Sequence, residues 1–263
     1  MIDKPSGKSG PSHQTEGDRP YFRLAPFREK FKTGLPVLLY HKLGFPGLRA
    51  PNKGLFVAPR LFARQLAELK AAGFACRELD AVPEPGGIAI TFDDGYACAF
   101  KWALEPLREN GFTAIQFLAA GFLGKRSSWD REDEPLMDRA QVREWLQEGH
   151  LIGAHTVTHA RLTAVDASRA REEITVGRKF LEDEFGVPVR HFCYPYGDWN
   201  ERVALMVAEA GYTTASTTDF GINTMETDRF ALKRIHAYAP LRSPAGMYYY
   251  LCRGHGQKNI RPE

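Results

Sequence analysis

Gly87-Ile88-Ala89-Ile90-Thr91-Phe92-Asp93-Asp94-Gly95 is an apolar run that ends in two adjacent carboxylates and a glycine. A continuous run of this kind, rich in β-branched residues, reads as a strand buried on both faces. Asp-Asp-Gly after a strand is by default a turn, in which Asp bonds its own backbone and Gly takes a positive φ. Parallel α/β folds, however, place their chemistry at the carboxyl ends of strands, and that is where Asp93 and Asp94 fall.

Outward from this stretch, strands and helices alternate. Strands are expected at 37–40, 88–92, 114–119, 151–153, 191–194, 212–216 and 230–235, and helices at 59–72, 97–109, 139–148, 167–184 and 201–210. Pro59 suits the first position of its helix, and Phe62, Leu66 and Leu69 form one apolar face. Gly73, Gly111, Gly149 and Gly211 each follow the last periodic residue of a helix, where a left-handed cap is needed. Alternation of this kind implies parallel strands with helical crossovers, in a barrel or an open sheet. With 263 residues, 43% of them hydrophobic, the chain has material for one substantial core.

His155-Thr156-Val157-Thr158-His159 follows another short apolar run, Leu151-Ile152-Gly153-Ala154, and so occupies the same position on a second strand. An i, i+4 histidine pair can aim both rings at one point if the segment makes a helical turn. Two imidazoles and one carboxylate, with a position left open, are the ligand set that a water-activating divalent metal requires. Asp94, His155 and His159 supply it, and Asp93 beside them is free to take a proton as general base. The residues therefore propose a hydrolase. Zinc suits two imidazoles, and Co2+, Ni2+ or Fe2+ could take the same ligands.

Thr91-Phe92-Asp93-Asp94-Gly95 and His155-Thr156-Val157-Thr158-His159 resemble the first two motifs of the polysaccharide deacetylase family, the NodB homology domain of carbohydrate esterase family 4. The third, R-x-P-Y-G, is similar to Cys193-Tyr194-Pro195-Tyr196-Gly197 except at the arginine. The likeness runs from about Pro36 to about Tyr238. It implies a distorted (β/α)7 barrel, a divalent metal on Asp94, His155 and His159, Asp93 as base, and the Tyr196 backbone N–H as oxyanion donor. Cys193 leaves the charge partner of Asp93 open. Arg190 and Arg234 are candidates, each expected by default to be a surface arginine. The family's C-terminal L-x-H motif, source of the general acid, is not found after motif three. Leu39-Tyr40-His41 has that form near the N-terminus, which resembles the circularly permuted branch typified by poly-N-acetylglucosamine deacetylases. His41 is thus the candidate acid, with His236 its main competitor and His191 and His255 less suggestive.

The substrate implied is an amino-sugar polysaccharide or oligosaccharide of N-acetylglucosamine type, with Pro195, Trp129 and Trp199 as candidate sugar contacts. Each tryptophan is at least as readily explained by packing. The insertion around Trp129–Met137 lies where groove-shaping loops do. Two rivals stay open: a hydrolase of another C–N bond, such as a cyclic amide or ureide, and a carbohydrate-binding domain without turnover. A net charge of +3 with mixed signs shows no nucleic-acid footprint. Arg169, Arg171, Glu172, Glu173, Arg178 and Lys179 read as an exposed helix face, and Cys76, Cys98, Cys193 and Cys252 as free thiols. Residues 1–20 read as a disordered polar tail, and 21–263 as one catalytic domain. No secretory signal or membrane span is visible, so the expected compartment is the cytoplasm as written, or the periplasm or exterior if a signal was trimmed. Met247-Tyr248-Tyr249-Tyr250-Leu251 reads as packing of a last helix.

Overall fold

In chain order the strands are β1 (Val37–Tyr40), β2 (Lys42–Leu43), β3 (Phe56–Val57), β4 (Ala75–Cys76) and β5 (Gly87–Phe92). They continue as β6 (Ile115–Leu118), β7 (Leu151–Ala154), β8 (His191–Cys193), β9 (Thr214–Phe220) and β10 (Leu232–His236). The helices are α1 (Arg28–Phe31), α2 (Pro59–Ala71), α3 (Ala97–Asn110), α4 (Arg139–Gln147), α5 (Ala167–Phe185) and α6 (Glu201–Glu209). The computed structural model describes residues 28–46, 53–130 and 133–237. The tail expected over 1–20, the cluster at 247–251, Cys252 and His255 lie outside the described residues.

Parallel pairing runs β1-β10-β9-β8-β7-β6-β5, and β1 also pairs with β5, which closes the ring. β4 adds to β5 on the outside, and β2 and β3 form a separate pair. The seven members of the ring are the seven strands expected from the sequence, so the choice between open sheet and barrel falls to the distorted (β/α)7 barrel. The two-residue pieces β2, β3 and β4 are too short to carry a period of two, and sequence reading missed them.

Alternation along each strand sorts the core into two clusters. Val37, Ala89, Ile115, Phe117, Cys193 and Leu232 point into the bore, where Leu79 joins them from the segment between β4 and β5. Their neighbours Leu38, Tyr40, Ile88, Ile90, Phe92, Phe192 and Ile235 point outward and are covered by apolar faces of the helices, such as Phe62, Leu66 and Leu69 of α2. Fully burying one such side chain stabilises the fold by about 1.5–3 kcal/mol. The helices start where caps permit: Pro59 opens α2, and Asp138 and Gln141 form a capping box on α4. Gly111 and Gly186 end α3 and α5 in left-handed conformation. Among the described residues no helix is long and apolar enough to cross a membrane.

The bore is narrow enough to demand a glycine at one place. A Cβ on Gly153 would lie 2.5 Å from the Phe117 ring and 2.8 Å from the His191 carbonyl oxygen. The carbonyl belongs to the adjoining strand and cannot step aside without breaking the ladder. Gly153→Ala is expected to lower the unfolding free energy by about 1–3 kcal/mol, measured as a fall in denaturation midpoint at unchanged slope.

Candidate active site

The pole of the barrel at the carboxyl ends of the strands gathers the reactive residues, because the bore-facing parity of β1, β5 and β7 continues past the strand end and that of β10 reaches Arg234 within the strand. Two residues beyond Leu39, Thr91, Gly153 and Leu232 on the same face stand His41, Asp93, His155 and Arg234.

Asp94 turns out of this parity through a left-handed backbone, φ 73°, and so faces the two histidines. Its Oδ1 lies 3.2 Å from His155 Nε2 and 3.0 Å from His159 Nε2. Tetrahedral ligands at about 2.0–2.1 Å from zinc stand about 3.3 Å apart, close to the two Asp94–histidine separations, and the three ligand atoms lie within 4.8 Å of one another. All three side chains are buried. Burial would raise the Asp94 carboxyl, yet hydrogen bonds from His155 and His159 hold it well below the usual carboxylate range.

The histidine segment is not the helical turn that the i, i+4 spacing suggested. Thr156 at φ 65° and His159 at φ 60° make it a turn with two left-handed residues. Such backbone costs of order 1–3 kcal/mol per residue and persists only where surroundings over-determine it. Here the surroundings include Glu173 of α5, which is fully buried. Its Oε2 accepts from the Val157 and Thr158 N–H groups, both at 2.8 Å, and its Oε1 accepts from the Thr158 hydroxyl at 2.6 Å. Arg169 supplies the counter-charge. The expectation that Glu173 belongs to an exposed face is therefore corrected: Arg171, Glu172 and Lys179 are exposed, but Glu173 lies one helical turn below Arg169 on the inner face. Its spacing of three from the buried Ala170 and four from the buried Gly177 was the available signal.

Arg234 answers the question left by Cys193. It is not a surface arginine but wholly buried. Its Nη1 and Nη2 each donate to one Asp93 oxygen at 2.7 Å. Nε donates to the Thr217 carbonyl at 2.7 Å, Nη1 also to Thr91 Oγ1 at 3.2 Å, and Nη2 also to Cys193 Sγ at 3.1 Å. Every guanidinium donor is thus engaged. Cys193, at the position of the family's arginine, leaves room for an arginine arriving from β10, and its thiol donates toward Asp93 at 3.4 Å. Burial would raise the Asp93 carboxyl, but the Arg234 charge and hydrogen bonds, helped by His41 and His155, bring it below its usual range. Arg190 is the surface arginine it was expected to be, pairing with Glu78 and Asp80 at the other end of β8.

The Cys193 carbonyl accepts from His155 Nδ1 at 2.7 Å, which leaves Nε2 free to face Asp94. Beyond it, Pro195-Tyr196-Gly197 forms a tight turn with Tyr196 at φ 61°. Gly197 is pressed on β9, where a Cβ would stand 1.9 Å from Thr218 Oγ1. Among the described residues the Tyr196 N–H has no hydrogen-bond partner. Of the candidate acids, His41 Nε2 lies 4.0 Å from Asp93 Oδ2. Burial lowers its pKa against the opposing pull of Asp94 and Asp93. His236 Nε2 is engaged by the Thr218 carbonyl at 2.9 Å, and His191 is buried at the far end of β8 against Thr214. Pro195 is buried beneath the turn. Trp129 stacks on the His159 ring at 4.2 Å, whereas Trp199 stacks on Tyr194 at 6.0 Å and donates to Asp219. A surface groove of about 540 Å3 between α3 and α4, lined by Cys98, Lys101, Glu134 and Glu144 among others, contains none of these residues.

Known proteins are similar to this chain in sequence and fold. A family profile for polysaccharide deacetylase matches residues 81–215, just over half of the chain. YxkH of Bacillus subtilis (strain 168), provisionally named a polysaccharide deacetylase, is 26% identical over 205 residues, which cover 76% of this chain and 70% of YxkH. A peptidoglycan-N-acetylglucosamine deacetylase of Bacillus cereus is 31% identical over 127 residues, covering 48% of this chain and 54% of that protein. In fold, the Streptococcus pyogenes deacetylase PplD, solved with acetate, superposes with a TM-score of 0.71 at 22% identity, covering 83% of this chain and 98% of PplD. The chain belongs to the polysaccharide deacetylase family and is a hydrolase of linear amide C–N bonds, which sets aside the reading as a binding domain without turnover.

Removing Arg234 alone leaves a buried carboxylate unpaired, which costs about 3–5 kcal/mol. Arg234→Met is therefore expected to lower the unfolding free energy by that amount, and Arg234→Met combined with Cys193→Arg to recover a large part of it by returning the guanidinium to the family's usual position. Additive losses in this double-mutant cycle would show that the two positions do not share one role.

Proposed function

We propose that this protein removes N-acetyl groups from N-acetylglucosamine-type residues of a polysaccharide or oligosaccharide. The observation that carries the reading is the convergence of Asp94, His155 and His159 beside an arginine-paired Asp93. Asp94, His155 and His159 would hold a divalent cation, zinc by the chemistry of the donor set, which when bound would supply acidification of a water and polarisation of the acyl carbonyl. Arg234 keeps Asp93 ionised and fixed in orientation, while Oδ1, which accepts from Arg234 Nη1, retains a lone pair with which to accept the proton of the attacking water. The Tyr196 N–H, held in a turn that presents it without a partner, donates to the oxyanion of the tetrahedral intermediate. His41 then protonates the departing amine, which as an anion would be a very poor leaving group. We infer the circularly permuted branch, supported by motif order: Leu39-Tyr40-His41 precedes the motif at 91–95 in sequence, and its strand β1 pairs with the strand β5 that carries that motif. Pro195, Trp129 and Trp199 are the candidate sugar contacts.

The adjacent aspartates should separate in their effects. Asp94→Ala is expected to lose bound metal and activity together, whereas Asp93→Asn keeps the metal and loses roughly 10²–10⁴-fold in kcat. Elemental analysis beside acetate release from N-acetylglucosamine oligomers checks both, and near-normal kcat in metal-loaded Asp93→Asn would place the base elsewhere. For His41→Ala the loss should be roughly 10²–10⁴-fold on the N-acetyl substrate and smaller on an aryl acetate, whose leaving group needs no proton. Equal losses on the two substrates, or a larger amide-selective loss in His236→Ala, would remove the acid role from His41.

A further inference from the structure

The two histidines of the site are held by different physics. His155 has the usual outer partner of a metal-binding imidazole, a hydrogen bond from Nδ1 to the Cys193 carbonyl. His159 Nδ1 is buried and has no hydrogen-bond partner among the described residues. Its ring lies instead between two others: Trp129 covers one face at 4.2 Å with planes 15° apart, and Tyr196 meets it edge-on at 4.6 Å. The Arg161 guanidinium stacks in turn on the far side of this set, 3.8 Å from the Tyr196 ring centre. A ring whose Nδ1 makes no hydrogen bond is held at Nε2 alone, and a close-packed plane restrains its turning about the Cβ–Cγ bond. Trp129 is the larger plane and the one that lies nearly parallel.

Trp129 itself is placed by its neighbours. Its Nε1 has no hydrogen-bond partner among the described residues, while Phe122 packs edge-on against it at 5.1 Å. The next residue, Asp130, is tied down three times: by the Lys42 ammonium at 2.9 Å, the Tyr96 hydroxyl at 2.5 Å and the Ser127 hydroxyl at 2.9 Å. Lys42 and Asp130 have side chains 0% and 6% exposed, a buried ion pair. Lys42 also lies over the Tyr96 ring at 4.6 Å. Buried ion pairs contribute little net stability compared with an apolar pair of the same shape, but they fix geometry. Here the geometry fixed is that of a loop whose adjacent residue covers a metal ligand.

We propose that Trp129 is a positioning residue for His159, substituting aromatic packing for the missing hydrogen bond, and that the Lys42–Asp130 pair anchors it. The proposal rests on the assignment of Asp94, His155 and His159 as metal ligands, not on the identity of the substrate. It also gives the indole face a use other than stacking on sugar.

The test is Co2+ titrated into metal-free protein in competition with a chelator, with the visible absorption of the bound ion as a report of ligand geometry. Trp129→Leu is expected to weaken Co2+ binding about 10–100-fold and to alter the spectrum, the usual effect of losing an outer-shell partner. Trp129→Phe, which keeps a ring face, should fall between Leu and wild type. Lys42→Met combined with Asp130→Ala removes the anchor without stranding a buried charge and should weaken Co2+ binding in the same direction. Circular dichroism and Tm of the metal-free forms identify any variant that has unfolded, and the Phe variant then decides. Wild-type Co2+ affinity and spectrum in folded Trp129→Leu, with only KM for an oligosaccharide raised, would overturn the proposal in favour of a sugar platform. Wild-type affinity in the double variant would overturn the anchor. Failure of the wild-type protein to bind Co2+ would overturn the metal assignment and this proposal with it, whereas failure to release acetate would overturn only the substrate reading.

Discussion

The bidentate contact between Arg234 and Asp93 ties the last strand of the barrel to the strand that carries both site aspartates, inside the bore and out of contact with water. Neither group could be buried alone, since an unpaired ion in a low-dielectric interior would cost far more than a marginally stable fold can absorb. Together, with Thr91, Thr217 and Cys193 taking the remaining guanidinium donors, they form a plug at the catalytic pole that is polar yet satisfied. The same contact lowers the Asp93 pKa, so the bracing of β10 and the ionisation of Asp93 are one interaction seen from two sides.

Around that plug the site is assembled from strained backbone. Asp94, Thr156, His159 and Tyr196 all adopt left-handed conformations, and among the described residues Asp133 is the one other non-glycine that does so. Each is held by something rigid: Asp94 by its strand, the histidine turn by the Glu173 carboxylate, and Tyr196 by a glycine wedged against Thr218. Strain concentrated at one pole is the expected counterpart of a preorganised site, because three ligand atoms and a backbone donor must face one small volume that no regular element could supply.

The groups that do the positioning are not those that a motif contains. Glu173, Arg234, Trp129, Asp130 and Lys42 come from four separate stretches of the chain. Glu173 looked like part of a charged surface because its neighbours Glu172 and Arg171 are exposed. Helical period, not composition, separates it from them. Arg234 was one of two candidates that sequence could not rank; Arg234 stands on β10 and Arg190 just before β8, and only their places in the ring decide which arginine reaches Asp93.

The sequence by itself determined the seven parallel strands, the helices between them, and the candidate cluster of Asp94, His155 and His159. Each of these is written in local spacing: period two or period 3.6 in apolar residues, glycine after a helix, and reactive side chains just past a strand end. Tertiary structure alone decided the closure of β1 on β5 and β10, the partner of Asp93, the clamp on the histidine turn and the two faces that hold the His159 ring. Those depend on which distant residues the closed ring brings within a few ångströms, and a closed ring is a property of all seven strands at once.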